Sequence, residues 1–417
     1  MEDSLVRNYL TEEGLAPGLP EKVYFWDETL RDGEQMPGVH FTPTEKLRIA
    51  RMMSDIGIAI MDVGMPIISE EEKKAVKAIA AEGLDASVMT AARTLKGDID
   101  ACLDCDVDEV SIFVACSDLH LKYKLKKTRE QVLSIAQEMV EYAKGHGVKV
   151  SFVTEDTVRA DMDYVEELYN ACVDAGADRA VLCDTVGVMT PTAMKWWIRE
   201  VKRRLKPIQL SVHIHNDFGM GVANTLAALE CGVEVPHTTI NGLGERCGNT
   251  PFEETVMALE SLYDYKTEID VSRLYELSRL VEELSGVPVA VSKPIVGYNA
   301  FRHESGIHTH GVLMHTLTYE PIQPRLVGNR RVFIFGKHTG AAAVEDRLQR
   351  AGVEAGKEKV MEIVAAIKER AERKEKEDQR AFIRAYRERE ESLRGVTEKE
   401  FWEIVKEVGL EPSPSED

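Results

Sequence analysis

The chain has no apolar run approaching the ~18 residues that a membrane-spanning helix needs. Its acidic start, MEDSLVRNYLTEEG, lacks the hydrophobic centre of a signal peptide. Both absences lead us to expect a cytoplasmic protein without a membrane partner. Positive charge is short as well: 52 Lys and Arg stand against 72 Asp and Glu, a net charge of −20 over 417 residues, with a pI near 5.1. That balance argues against nucleic-acid partners, and any anionic substrate must meet a locally positive pocket. Cysteine is sparse: seven residues, an odd number with no dense framework, fit reduced thiols. Cys102 and Cys105 form a CxxC without a second pair, on a segment that reads as helix and turn. No glycine-rich dinucleotide fingerprint follows the first apolar run, which removes the open doubly wound sheet as the main competing fold.

What is present is a rhythm. Short β-branched, apolar runs recur at 23–26, 58–63, 86–91, 110–115, 148–153, 179–183, 209–214 and 237–241. Amphipathic helical segments lie between them, such as TEKLRIARMMSDIG and REQVLSIAQEMVEYAKGHG, the second closing on a glycine. Eight strands alternating with helices predict an α/β fold, a (β/α)8 TIM barrel over residues 22–285, followed by a mainly helical C-terminal region. Residues 1–21 read as a lead-in. Residues 286–345, rich in Gly and His and without the barrel rhythm, are expected to form a covering subdomain. From 346 to 417 the chain becomes a charged helical subdomain, whose dense Lys, Arg and Glu read as a solvated face with i,i+4 pairs.

Polar and ionisable residues sit just past each predicted strand, where a parallel barrel collects its chemistry. The first run opens into WDETLRDGEQMPG, which sets Arg31, a fixed cation, beside Asp32, a hard oxygen ligand. In SVHIHNDFG, His213 and His215 alternate along a strand, so both imidazoles leave one face and can converge on one ion. A third piece, NGLGERCGN, is a Gly-rich turn after the last strand. Singly each piece also fits a surface turn or a satisfied core histidine; all three at strand ends make a site.

The joint occurrence of LRDGEQ, HIHNDFG, GLGERCGN and FRHESGIH resembles the acyl-CoA-condensing metalloenzymes that include 2-isopropylmalate, homocitrate, citramalate and Re-type citrate synthases, over roughly residues 22–345. 3-Hydroxy-3-methylglutaryl-CoA lyase belongs to the wider superfamily. The resemblance implies a divalent metal ion (Zn, Mn or Mg) on Asp32, His213 and His215, supported by Asn249. It implies acetyl-CoA and a 2-oxo acid as substrates, with Arg31 facing the oxygen that becomes an alkoxide. Gln35, Asp62, Arg93 and Thr185 would serve the 2-oxo acid, Thr185 at its carboxylate. Glu155, with His303 of the covering subdomain and with Tyr319, would take the proton from the acyl-CoA. The family is expected to be homodimeric, the covering subdomain of one chain reaching the neighbouring site.

Departures from the family also count. Asp62 replaces a family Glu and is one methylene shorter, and Ala91 and Ser151 stand where homocitrate synthases carry the His and Arg that grip a distal carboxylate. Ser111 stands where relatives often have His or Asp. No leucine-type regulatory domain is expected, the helical C-terminal region being too short and too charged for one, and the rim offers Ser and Arg rather than bulky aliphatics. These features favour oxaloacetate or 2-oxoglutarate slightly as the expected substrate. 2-Isopropylmalate or citramalate synthesis is the alternative, and a carbon–carbon lyase of the same superfamily a further one.

Overall fold

The computed structural model describes residues 7–15, 18–374, 376–393 and 395–410. Two compact units make up the chain. The first holds the described residues up to 36, then 41–302 and 315–332; the second holds 37–40, 303–314 and the described residues from 333 on.

Eight parallel strands close the first unit into a barrel: β1 (Trp26–Asp27), β2 (Ile60–Asp62), β3 (Ser87–Arg93), β4 (Glu109–Ala115), β5 (Lys149–Glu155), β6 (Arg179–Asp184), β7 (Gln209–Ile214) and β8 (Val235–Thr238). The last strand returns to the first, with Trp26 opposite His237 and Asp27 opposite Thr238. Helices separate the strands, several of them capped at the N-terminus by a side chain. At Pro43–Asp55, the Thr42 side chain accepts from the Glu45 N–H while Glu45 reaches back to the Thr42 N–H, and Pro43 occupies the first helical position, where no donor is needed.

The last strand departs from expectation. Residues 237–241 read as a run, yet β8 ends at Thr238 and the chain turns through a 3-10 segment, Ile240–Gly242, with Asn241 left-handed at φ 62°. The β-branched residues Thr239 and Ile240 mimic strand composition, but their hydrogen bonds serve the turn: Ile240 N donates to Thr29 Oγ1 and Gly242 N to the Thr239 carbonyl. At the first strand the ladder covers only Trp26 and Asp27 of the apolar run and its sequel.

Alternation along the strands separates packing from chemistry. Val110, Ile112 and Val114, with Val150, Phe152, Ala180, Leu182, Val212 and Ile214, pack outward onto helical residues such as Ile99, Val132, Leu168 and Ile198. Inside, Trp26, Ile60, Met89, Val181, Cys183 and Val235 form a smaller plug. The period of two then obliges His213, Glu155 and Thr185, the neighbours of those inward residues, to stand at the carboxyl-end mouth.

The second unit is helical, with Gly306–Met314, Ala341–Arg350, Lys357–Arg373, Glu377–Leu393 and Glu398–Glu407. Its packed centre is small, built from Val344, Val360 and Val364. No helix among the described residues is long and apolar enough to cross a membrane.

Candidate active site

The loop after β1 is held from both sides. Asp27 Oδ1 accepts from Thr29 N at 2.8 Å and Gly33 N returns to the Glu28 carbonyl at 2.9 Å, so residues 29–32 form a tight, buried turn. Behind it lies Lys46, fully buried. Its ammonium meets Glu34 Oε2 at 2.6 Å and Glu72 Oε1 at 2.8 Å, and donates to the carbonyls of Leu30 (3.0 Å) and Val63 (3.3 Å). Leu30 and Glu34 bracket Arg31 and Asp32, so one lysine pins both ends of the functional turn.

Asp32 Oδ2 lies 3.6 Å from His213 Nε2 and 3.8 Å from His215 Nε2, and the two imidazole nitrogens are 3.2 Å apart. All three side chains are buried. Burial lowers the affinity of both imidazoles for a proton, His213 well below the ordinary histidine value, so each keeps a lone pair for an ion. At Asp32 burial pushes the other way, but Arg31, His213 and His215 outweigh it and hold the carboxylate below its usual value. Asn249 places its amide nitrogen against Asp32 Oδ2, and its Oδ1 is buried without a partner. Rotating that amide exchanges the two atoms and would turn the oxygen toward the same point. Gly248 sets Asn249 there: at φ +82°, a Cβ on it would stand 1.9 Å from the Gly242 carbonyl oxygen.

Arg31 is wedged among acids. It meets Glu28 Oε2, donates from Nε to Asp62 Oδ2 at 3.2 Å, and has Nη1 3.8 Å from Asp32 Oδ1. Burial alone would weaken its charge; Glu28, Asp62 and Asp32 outweigh that and raise its affinity for the proton. Glu28 also contacts His237 Nδ1 at 2.9 Å, and His237 Nδ1 lies 3.2 Å from His213 Nδ1, so the far nitrogen of His213 is backed by a buried His–Glu pair. Trp26 covers the His237 ring at 3.9 Å. Burial, opposed by Arg31, pushes the Glu28 carboxyl up to about 7.

These groups open onto a cavity of about 240 Å³ that Arg31, Asp32, Gln35, Glu155, Thr185, His213, His215 and Arg246 line on its polar side. Met65, Ala91, Phe113, Val153 and Cys183 line the rest, with Ser111 among them. Glu155 meets Lys124 Nζ at 2.5 Å, and Arg246 is engaged by Asp217 and by the Thr185 carbonyl.

Two expected substrate contacts stand elsewhere. Asp62 does not line the cavity; its short side chain stops behind Arg31 and braces it, while its other oxygen accepts from Gly64 N. Arg93 is also outside, clamped by Asp98 at 2.6 and 3.0 Å, because the acidic first turn of the helix Lys96–Leu103 is closer than the barrel mouth. Tyr319 is not among the lining residues and is 43% exposed. His303 belongs to the second unit, where its carbonyl accepts from Ile334 N. Glu28 and His237 are the contributors that motif reading passes over.

A family model described as HMGL-like matches residues 22–281, and one described as homocitrate synthase post-HMGL domain-like matches 295–375. The chain belongs to the HMGL-like family. Within it, the chain is 52% identical over 340 residues to the 2-isopropylmalate synthase of Methanocaldococcus jannaschii, covering 82% of this chain and 65% of that one. It is 48% identical over 366 residues to the homocitrate synthase AksA of Methanopyrus kandleri, covering 88% and 92%. The 3-hydroxy-3-methylglutaryl-CoA lyase of Bacillus subtilis shares the HMGL-like barrel, with a TM-score of 0.61 at 20% identity, over 67% of this chain and 98% of that one. As in an HMGL-like enzyme that uses a divalent cation, the residues present here fit one. Three buried donors of hard and borderline character converge, two of them on neutral imidazoles, and a fourth oxygen has no other partner.

Proposed function

We propose that this chain is a metal-dependent acyltransferase that joins the acetyl group of acetyl-CoA to the carbonyl carbon of a 2-oxo acid, with water, giving a 2-hydroxy dicarboxylate and free CoA. The observation that carries the reading is the convergence of Asp32, His213 and His215 beside Arg31 in one cavity with Glu155. When bound there, a divalent cation supplies Lewis-acid polarisation of the 2-oxo acid carbonyl. Arg31 donates where that oxygen gains charge, a contact worth on the order of 3 kcal/mol in a transition state, and its acidic bracing keeps it from swinging away. Thr185 and Gln35 orient the carboxylate end. Glu155 accepts a proton from the acetyl carbon, with Lys124 Nζ holding its carboxylate in place at 2.5 Å. The carbanion so formed attacks the ketone carbon. Water then cleaves the thioester, so the products do not recombine readily. His303 and Tyr319 enter the proposal only through the family motif, as partners in the proton transfer, with the active form a homodimer.

Among 2-oxo acids, the cavity wall favours a short aliphatic side chain. Met65, Phe113 and Val153 are apolar, and the lining cations Arg31 and Arg246 are both engaged by carboxylates. A distal carboxylate placed against that wall would lose water and meet the Ser111 hydroxyl but no unengaged cation, at a cost of several kcal/mol. This weighs against oxaloacetate and 2-oxoglutarate, toward which the sequence leans, and for the 2-isopropylmalate or citramalate alternative. The lyase alternative rests on fold likeness alone.

The test is a panel of 2-oxo acids with acetyl-CoA, scored by CoA release from protein stripped with a chelator and reloaded with Zn, Mn or Mg. No release with any acid would end the proposal. Preference for 2-oxoglutarate or oxaloacetate would reverse the specificity assigned to the wall.

A further inference from the structure

Beyond β4 the chain makes one turn of helix, Asp118–His120, that runs into a single π-helical turn, Leu121–Leu125. Lys126 then stops it in the left-handed region, at φ 53° and ψ 45°, and the Leu121 carbonyl accepts from the N–H groups of both Lys126 and Lys127. Leu121 is buried and anchors the turn; Lys122, Tyr123, Lys124, Lys126 and Lys127 are all exposed. Isolated π-turns gather at functional sites, and a lysine at positive φ is uncommon. The combination fans four lysines and a tyrosine out from six residues.

The charge of this turn is unbalanced. Lys124 is engaged by Glu155, and the following Arg129 by Asp118 at 2.8 and 2.7 Å. Among the described residues no carboxylate lies within ion-pair distance of Lys122, Lys126 or Lys127. That is notable in a chain of net charge −20, where Arg31, Arg93, Arg159 and Arg246 beyond the strand ends are each paired with a carboxylate. The turn is also close to the chemistry. Lys124 touches Glu155, and the three residues to Lys127 span at most about 11 Å of extended chain.

We propose that the 122–127 turn docks the phosphate end of coenzyme A, with the 3′-phosphate and diphosphate against Lys122, Lys126 and Lys127 and the adenine against Tyr123. This rests on acetyl-CoA being the acyl donor. The thioester must enter the cavity to reach Glu155, whereas the phosphates carry charge that is costly to bury, so they belong on the rim, on cations that no carboxylate engages; Lys122 Nζ lies over the Tyr123 ring, 4.9 Å from its centroid. An exposed tyrosine beside them supplies a face for a base to stack on. Diffuse attraction also follows: a basic turn on an acidic protein is where a polyanion would first be captured.

The test is calorimetric titration of the full chain with CoA, dephospho-CoA and pantetheine. Replacing Lys122→Gln, Lys126→Asn and Lys127→Gln together removes the charge and keeps a residue that tolerates the left-handed position. We expect CoA to bind the triple variant at least about 10-fold more weakly, dephospho-CoA to lose less, and pantetheine to bind both proteins alike, which also shows that the variant is folded. A control pair on an outer helix, Lys74→Gln with Lys77→Gln, keeps wild-type CoA affinity. CoA affinity within twofold of wild type in the triple variant overturns the docking site. If lysine-dependent CoA binding is seen while no 2-oxo acid elicits CoA release, the condensation reading falls and the docking site stands. If the unmodified protein does not bind CoA, both fall.

Discussion

Replacing Lys46 by methionine should destabilise the fold by about 5 kcal/mol. The ammonium is fully buried and meets two carboxylates, Glu34 and Glu72, whose side chains keep only 18% and 14% of their exposure. Breaking a buried pair from one side costs roughly 3–5 kcal/mol, since the remaining charge is uncompensated; partial solvent access puts this case toward the lower end. Two carbonyls, of Leu30 and Val63, lose a donor as well, at about 1 kcal/mol each if unsatisfied. Methionine keeps the stem, so packing loss is minor. The pH dependence gives a second handle. Burial already raises the Glu72 carboxyl above its usual value while Lys46 opposes it. Without the cation the folded-state value climbs further, the folded chain binds a proton that the unfolded chain releases, and stability falls as pH rises through that window. The deficit against wild type should therefore be smaller at pH 5 than at pH 8, and adding Glu72→Gln should recover part of it. Equilibrium urea denaturation at both pH values measures this. A loss below about 1 kcal/mol, or the same loss at both, would refute the account of Lys46 as the pin of the Arg31–Asp32 turn.

Asp32→Asn keeps the shape of the ligand and removes its charge. Elemental analysis after dialysis should find metal retention falling by more than about 100-fold in affinity, and retention like wild type would break the assignment. Burial pushes the Asp27 carboxyl up to about 8, so the folded chain holds a proton there that the unfolded chain loses near pH 4. Stability should then decline from about pH 4 to 8, and Asp27→Asn should flatten that slope in thermal melts; an unchanged slope would assign the decline to other groups. Phe113→Ala deepens the apolar wall and should shift kcat/KM toward longer aliphatic 2-oxo acids by about 10-fold per added methylene. Competition assays with two acids in one mixture decide it.

The convergence of Asp32, His213 and His215 was legible because these residues obey local rules. The alternation in SVHIH forces both imidazoles to one side of β7, and the strand-to-loop change at Trp26 marks where Asp32 must lie. The eight-fold rhythm was legible for the same reason, since most outward residues of the longer strands are apolar. What escapes a linear reading depends on neighbours distant in sequence. Lys46 sits on an amphipathic helix, where a lysine is ordinarily solvated, and only the turn at Glu34 and the helix at Glu72 make it internal. His237 looks like one more polar residue in a β-rich run until the closure of β8 onto β1 sets it against Glu28 and His213. Arg93 ends its strand facing the mouth by count, yet Asp98, five residues on, captures it. The turn after β8 is disguised by β-branched residues whose hydrogen bonds lie elsewhere.

Within β4 through β7, the side chains that fasten each strand to its helices are a different set from those that see the cavity. Selection can therefore retune which small acid is accepted, one inward position at a time, while the framework that keeps the molecule folded is left untouched. Families of related catalysts with divergent appetites are the natural outcome of such a division of labour.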